Sequence, residues 1–172
     1  MRKSKVLLGM VASSLGLLFM LGSSNTTNAS SISYNKAPDV LHHDWVTKLI
    51  RGPKGVRNVQ YGYSKERLHV TNKKFQFYYY DFHPNKHLYN YGKDWGATSN
   101  YWTLSFEKKS PHRYIVIGSA DPYSKVANAF GVVLSKNYRS LNAYSYDVKF
   151  KHDVPYLSHK YYRGHYYRSN LL

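Results

Sequence analysis

Apolar and polar residues alternate with a period of two through most of the chain beyond Val56. In NYWTLSFEK, Trp102, Leu104 and Phe106 fall on one side, and Tyr101, Thr103, Ser105 and Glu107 on the other. RLHVT sets Leu68 and Val70 against Arg67, His69 and Thr71, and VRNVQYGY aligns Val59, Tyr61 and Tyr63. In KKFQFYYYDF, Phe75, Phe77 and Tyr79 share the face that reads as core, opposite Lys74, Gln76, Tyr78 and Tyr80. RYIVIGS aligns Ile115 with Ile117, although Tyr114 and Val116 make its second face apolar too. FGVVLS and SLNAYSYDVKF complete the set, and KVANAFGVVL also fits a helix. Turn residues fall between these runs, at Ser64-Lys65-Glu66, His83-Pro84-Asn85, Gly92-Lys93-Asp94, Ser110-Pro111, Asp121-Pro122 and Lys136-Asn137. Short alternating runs broken by Gly, Pro, Asn and Asp predict an all-β fold, a small antiparallel barrel or sandwich.

One segment breaks the period. Leu41, Trp45 and Leu49 recur every four residues, Asp39 stands where an N-cap would, and Gly52-Pro53 would end a helix. That predicts one short N-terminal helix. The preceding SSISYNKA, residues 30–37, reads as a disordered lead-in. The last stretch, LSHKYYRGHYYRSNLL, holds the near-duplicates Tyr161-Tyr162-Arg163 and Tyr166-Tyr167-Arg168. Adjacent tyrosines point to opposite sides of a strand, so residues 159–172 read as a basic, tyrosine-rich tail or an edge strand. The single β domain is expected over 38–158.

The first thirty residues carry a different signal. Arg2, Lys3 and Lys5 precede an apolar run from Val6 to Leu21, and Thr27-Asn28-Ala29 makes a small-residue cleavage site before Ser30. That order is the mark of a secretory signal peptide over 1–29, and the run falls short of the roughly 18 residues of a membrane span. Its removal leaves 143 residues with 22 basic and nine acidic side chains, a charge of +13. Such a field draws in polyanions and makes association salt-dependent. The chain has no cysteine, which excludes a disulfide framework and fits an exported protein of a Gram-positive bacterium. The expected location is extracellular or bound to the cell wall.

The candidate chemistry is binding rather than turnover. Lys73, Lys74, Lys160, Arg163 and Arg168 would grip anionic wall polymers such as teichoic acid while Tyr161, Tyr162, Tyr166 and Tyr167 stack. The alternative for those tyrosines is packing on a barrel wall. Phe75, Phe77, Trp102, Leu104 and Phe106 would line the interior, either as a pocket for a small apolar ligand or as plain filling. His42-His43-Asp44 and Asp81-Phe82-His83 with His87 are groupings of metal-ligand residue types, but neither has a helix-borne spacing, so both read as solvated loops. No G-x-S-x-G elbow and no Gly-rich phosphate loop is present. A non-catalytic monomer without a cofactor and without physiological nucleic acid is expected. The rival is an envelope hydrolase or antibacterial effector using Asp81, His83 or His87.

Lys48-Leu49-Ile50-Arg51-Gly52, SKERLHVTNKKFQF and RYIVIGSADPYSKVANAFGVVLSKNYRSLNAYSYD together resemble the small secreted lipocalin-like proteins of lactobacilli and their relatives. Leu68, Val70, Thr71 and Phe75 match that family's Leu-x-(Ile/Val)-Thr-x-x-x-Phe strand pair, and Leu141 with Tyr144 its late Ser-Leu-x-x-Tyr strand. Gly52 is followed by Pro53-Lys54 where the family has Thr-Trp, which leaves Trp45 to close the barrel floor. The resemblance covers roughly residues 45–150 and implies a lipocalin-like barrel, with a lipocalin-type carrier as the alternative function.

Overall fold

The computed structural model describes residues 31–51, 63–82, 88–90, 95–100, 102–120, 123, 126–151 and 154–169. The expected signal peptide, the VRNVQYGY strand up to residue 62 and the loop of His83 and His87 lie outside them. Twelve strands follow in chain order: β1 (Ser31–Tyr34), β2 (Asp44–Val46), β3 (Ile50–Arg51), β4 (Tyr63–Thr71), β5 (Lys74–Phe82), β6 (Leu88–Asn90), β7 (Trp95–Thr98), β8 (Ser105–Ser110), β9 (Arg113–Ser119), β10 (Ala127–Leu134), β11 (Ser140–Lys151) and β12 (Val154–Ser169). They form one antiparallel sheet in the order β1-β8-β9-β10-β11-β12-β2-β4-β5-β6, with β3 on β4 and β7 on both β5 and β9. ANAFGVVL, which also fits a helix, is therefore strand, β10.

β7 partly closes the sheet into a ring. It pairs with β5 over four positions, Lys74↔Thr98 to Phe77↔Trp95, and with β9 at Thr98↔Ser119. The Asn128 side-chain amide donates to the Gly96 carbonyl (2.7 Å), tying β10 to the same seam. Gly96 is required there, because a Cβ would stand 2.2 Å from the Phe75 carbonyl oxygen.

Inside the ring the alternation reads out as burial. Leu68, Val70, Phe75, Phe77, Leu104, Phe106, Phe130, Val132, Leu141 and Tyr166 all face one core. Phe130 touches Phe75 and Phe77 at 5.3 Å between centroids, and Trp95 at 5.0 Å. Burial of each such ring stabilises by about 2–3 kcal/mol at ~25 cal/mol per Å². In β9 the inward pair is Tyr114 and Val116, and Ile115 and Ile117 are half-buried on the outer side. Their partners explain it: Tyr114 and Val116 pair with Val132 and Phe130, whose side chains point inward.

Three expectations are corrected. No helix forms over 39–51. Leu41 and His42 donate their backbone N–H groups to the Pro38 carbonyl (2.8 and 3.0 Å), His43 to that of Leu41 (2.7 Å), and β2 begins at once. Both edges of β2 are used, Trp45 pairing with Arg168 on one side and Leu68 on the other. The four-residue spacing is real but has another cause: the Trp45 indole donates across the turn to the Leu41 carbonyl (3.1 Å), while Leu49 is exposed. A helix this short has little stability of its own, and pairing on two edges outweighs it. Nor is the described part of the expected lead-in, 31–37, disordered, because Ser31–Tyr34 pair with Ser105–Lys108. Residues 159–169 are not a free tail either: β12 pairs with β11 along its length and, at Tyr167, Arg168 and Ser169, with β2 as well.

Trp45→Ala is expected to lower unfolding free energy by about 3–5 kcal/mol, the usual cost of truncating a fully buried large ring. Denaturant titration checks it. A change under 1 kcal/mol would mean that Trp45 does not hold this junction.

Candidate functional site

The β11–β12 ribbon decides which tyrosines face outward. Its register changes twice: Ala143↔Gly164 is followed by Tyr144↔Tyr162, and Tyr146↔Lys160 by Asp147↔Ser158. Arg163 and His159 are thus the extra residues of two bulges, and His159 takes a left-handed backbone (φ 37°). Each bulge leaves one residue unpaired and reverses the sense of alternation. Leu141 and Ala143 point inward with Gly164 and Tyr166, so Asn142, Tyr144, Lys160, Tyr162, His165 and Tyr167 share the outer face.

On that face the side chains touch in sequence. Lys160 Nζ sits 3.8 Å above the Tyr144 ring, and Tyr144 meets Tyr162 edge-on at 5.6 Å. The Tyr162 hydroxyl donates to Asn142 Oδ1 (3.5 Å), which also lies 2.7 Å from His165 Nδ1. His165 packs edge-on against Tyr167 at 4.8 Å, and Lys48 Nζ lies 5.3 Å over the Tyr167 ring. Tyr162 remains 60% exposed and Tyr167 37%. Below Tyr144, Tyr146 lies over Gly131, where a Cβ would come within 2.9 Å of its ring. The result is a stripe of phenols, imidazole and two ammonium groups about seven strand residues long, on the order of 20 Å. Among the described residues, no carboxylate interrupts it between Lys160 and Lys48.

Three of the nine residues expected to bind polyanions lie on this stripe: Lys160, Tyr162 and Tyr167. Tyr166 is a correction. It is fully buried, 5.8 Å from Phe77, and its hydroxyl donates to Glu66 Oε2 (2.5 Å). Burial first, then the Glu66 charge, pushes its phenol well above the ordinary range. Arg163 turns to the opposite face, Tyr161 donates to Asp147 Oδ2 (3.2 Å) there, and Arg168 is exposed beside His43. Lys73 and Lys74 are exposed at the β4–β5 turn, near the end of the sheet where Asp44 pairs with His69 and Ser169, and are not brought to Lys160. Of the expected pocket residues, Phe75, Phe77, Leu104 and Phe106 are core, whereas Trp102 is half-buried outside the cluster. Hollows lie elsewhere, one of about 330 Å³ between β1 and Pro38 reaching Phe106 and Tyr114, another of about 120 Å³ beside Arg67 and Tyr80.

Beside the stripe, β2 and β4 carry a compact ionic group that was not anticipated. Asp44 accepts two hydrogen bonds from Arg67 (2.9 and 2.6 Å) and lies 2.7 Å from His69 Nδ1. Burial raises the Asp44 carboxyl, but the bonds and charges of Arg67 and His69 outweigh it and hold the carboxyl below 3.8. Asp44 is thereby committed to these partners. Among the described residues, no cluster of three metal-ligating side chains occurs. Tyr144, Asn142 and His165 were also missed as surface residues. Their signal was the alternation of SLNAYSY around buried Leu141 and Ala143.

Two pH dependences follow. Stability from Asp44 is present above pH 4 and is lost as pH falls through its depressed folded value, so Asp44→Asn flattens the acid limb of a urea-unfolding series. Stability linked to Tyr166 is present below its ordinary value of 10.0 and is lost as pH rises beyond it. Tyr166→Phe removes that alkaline loss and costs about 1–3 kcal/mol at neutral pH, because Glu66 loses its donor. An unchanged limb in either variant contradicts the assignment. No family model matches the chain, and no curated protein or solved structure shows a significant match.

Proposed function

We propose that this is a secreted, non-catalytic binding protein of a Gram-positive cell envelope, held on anionic wall polymers by the outer face of β11 and β12. The observation that carries the reading is the uninterrupted stripe from Lys160 through Tyr144, Tyr162, His165 and Tyr167 to Lys48, in a chain with 25 basic and nine acidic residues. Ammonium groups at both ends suit a ligand with anionic groups spaced along its length. The phenol faces between them offer apolar contact to polyol or sugar units, and their hydroxyls tolerate water. A strip on the order of 20 Å fits a polymer laid along the strand rather than one small anion. The signal-peptide pattern supports export, and the abundance of polyanion at such an envelope supports teichoic acid as the partner.

We read the ring as a small lipocalin-like barrel filled by its own side chains. The carrier alternative has less support, because Phe75, Phe77, Trp95 and Phe130 pack on one another at 5.0–5.8 Å. The hydrolase alternative rests on Asp81, His83 and His87, of whose side chains nothing is described.

Co-sedimentation of the mature protein with Gram-positive walls, with and without teichoic acid and across a salt series, tests the proposal. Binding is expected to need the polymer, to fall steeply with salt, and to weaken about three- to tenfold in Lys160→Gln/Tyr162→Ala, the loss of roughly 1 kcal/mol of cation and ring contact. Binding indifferent to polymer and salt, or unchanged in the double variant, contradicts it.

A further inference from the structure

The bulge that leaves Tyr162 outside turns Arg163 the other way. Its guanidinium carbon stands 4.0 Å from the centroid of the Trp95 ring and 5.6 Å from that of Phe77, over the end of the aromatic core. Trp95 is itself fixed by Phe77 at 5.8 Å and Phe130 at 5.0 Å. A guanidinium on a ring engages its flat face, while its five N–H donors lie in the plane and point outward at the edge. It remains charged at any pH at which the protein folds.

Among the described residues, the carboxylates on this side of the sheet are already engaged. Glu66, the inward carboxylate at this end, accepts from Tyr166. Asp147 is met by His159 and Tyr161. Among the described residues, Arg163 has no hydrogen-bond acceptor and no ion pair, although its guanidinium rests over the Trp95 ring. Stacking limits its rotamers, so little order would be lost on binding.

We propose that Arg163, held on Trp95, is a binding site for a single oxyanion, a carboxylate or a phosphate, gripped edge-on by the guanidinium fork. The site lies across the sheet from the outer stripe and stands whether or not that stripe binds polymer. Its ligand is a terminal or isolated anionic group reaching the mouth of the ring. A fork pairs with two oxygens at once, so lysine is a poor replacement.

The test is titration of the mature protein with inorganic phosphate and, separately, sodium acetate at constant ionic strength, read by tryptophan emission and by the Arg163 Nε–H resonance. Saturable changes in both signals are expected for at least one anion, and the stronger arm distinguishes phosphate from carboxylate. Affinity should fall about fivefold or more in Arg163→Lys and vanish in Arg163→Gln. Lys160→Gln/Tyr162→Ala should leave it unchanged, and Trp95→Phe should remove the emission change. No saturable shift of the Nε–H resonance in the native chain with either anion overturns the proposal, with no variant needing to fold. So does a folded Arg163→Gln that titrates like the native protein.

Discussion

The arrangement depends on one constraint: five rings from four parts of the chain, Phe75, Phe77, Trp95, Phe130 and Tyr166, must pack against one another, with Trp95 half-buried at the end of the cluster. β5 supplies two of them by simple alternation. β7 must then approach β5 so closely that only Gly96 fits, and β12 must deliver Tyr166 from the far end of the sequence. Because Tyr166 enters with a hydroxyl, the core must also hold an acceptor, and Glu66 on β4 provides it. The polar pair costs desolvation, and its hydrogen bond offsets part of that cost. It also fixes β12 in register against β4 through a contact one hundred residues apart in sequence.

That fixed register is what sorts the chemistry of the ribbon. If β12 alternated without interruption from Tyr166, then Tyr162 and Lys160 would point inward and Arg163 and Tyr161 outward. The bulge at Arg163 reverses this. It places Tyr162 and Lys160 beside Tyr144 on the outer face, and it sends Arg163 onto Trp95. One inserted residue thus separates two kinds of cationic surface. The outer one is extended and shared among several rings; the inner one is a single oriented guanidinium. A strand without bulges would have mixed them.

Much of this was legible from residue order alone, and the failures have causes. Phe75 and Phe77 were assigned to the core face and Tyr78 and Tyr80 to the opposite one because β5 is regular, and the all-β class followed from the same period. The Leu41-Trp45-Leu49 spacing misled because a turn followed by a strand can place Leu41 and Trp45 together as a helix does. Ser31–Tyr34 was hidden by composition: a short edge strand needs few apolar residues when β8 supplies the pairing. In β9 both faces are apolar, so only the neighbouring strands decide which is buried. Tyr166 could not be told from Tyr161, Tyr162 and Tyr167 because their order follows no single period. Bulges are set by the partner strand, and no local residue type announced them. Arg163 was identified as a binding cation, but the face it serves depends on that same register.

The most direct test of the two-faced ribbon is chemical nitration of the folded protein, followed by peptide mapping of each tyrosine. With Tyr161 and Tyr162 at 50% and 60% exposure and Tyr166 at 0%, the first two should react readily and Tyr166 only on unfolding. Protection of Tyr162 comparable to that of Tyr166 in the folded state would mean that β12 does not turn at Arg163, and the sorting of its residues would fall with it.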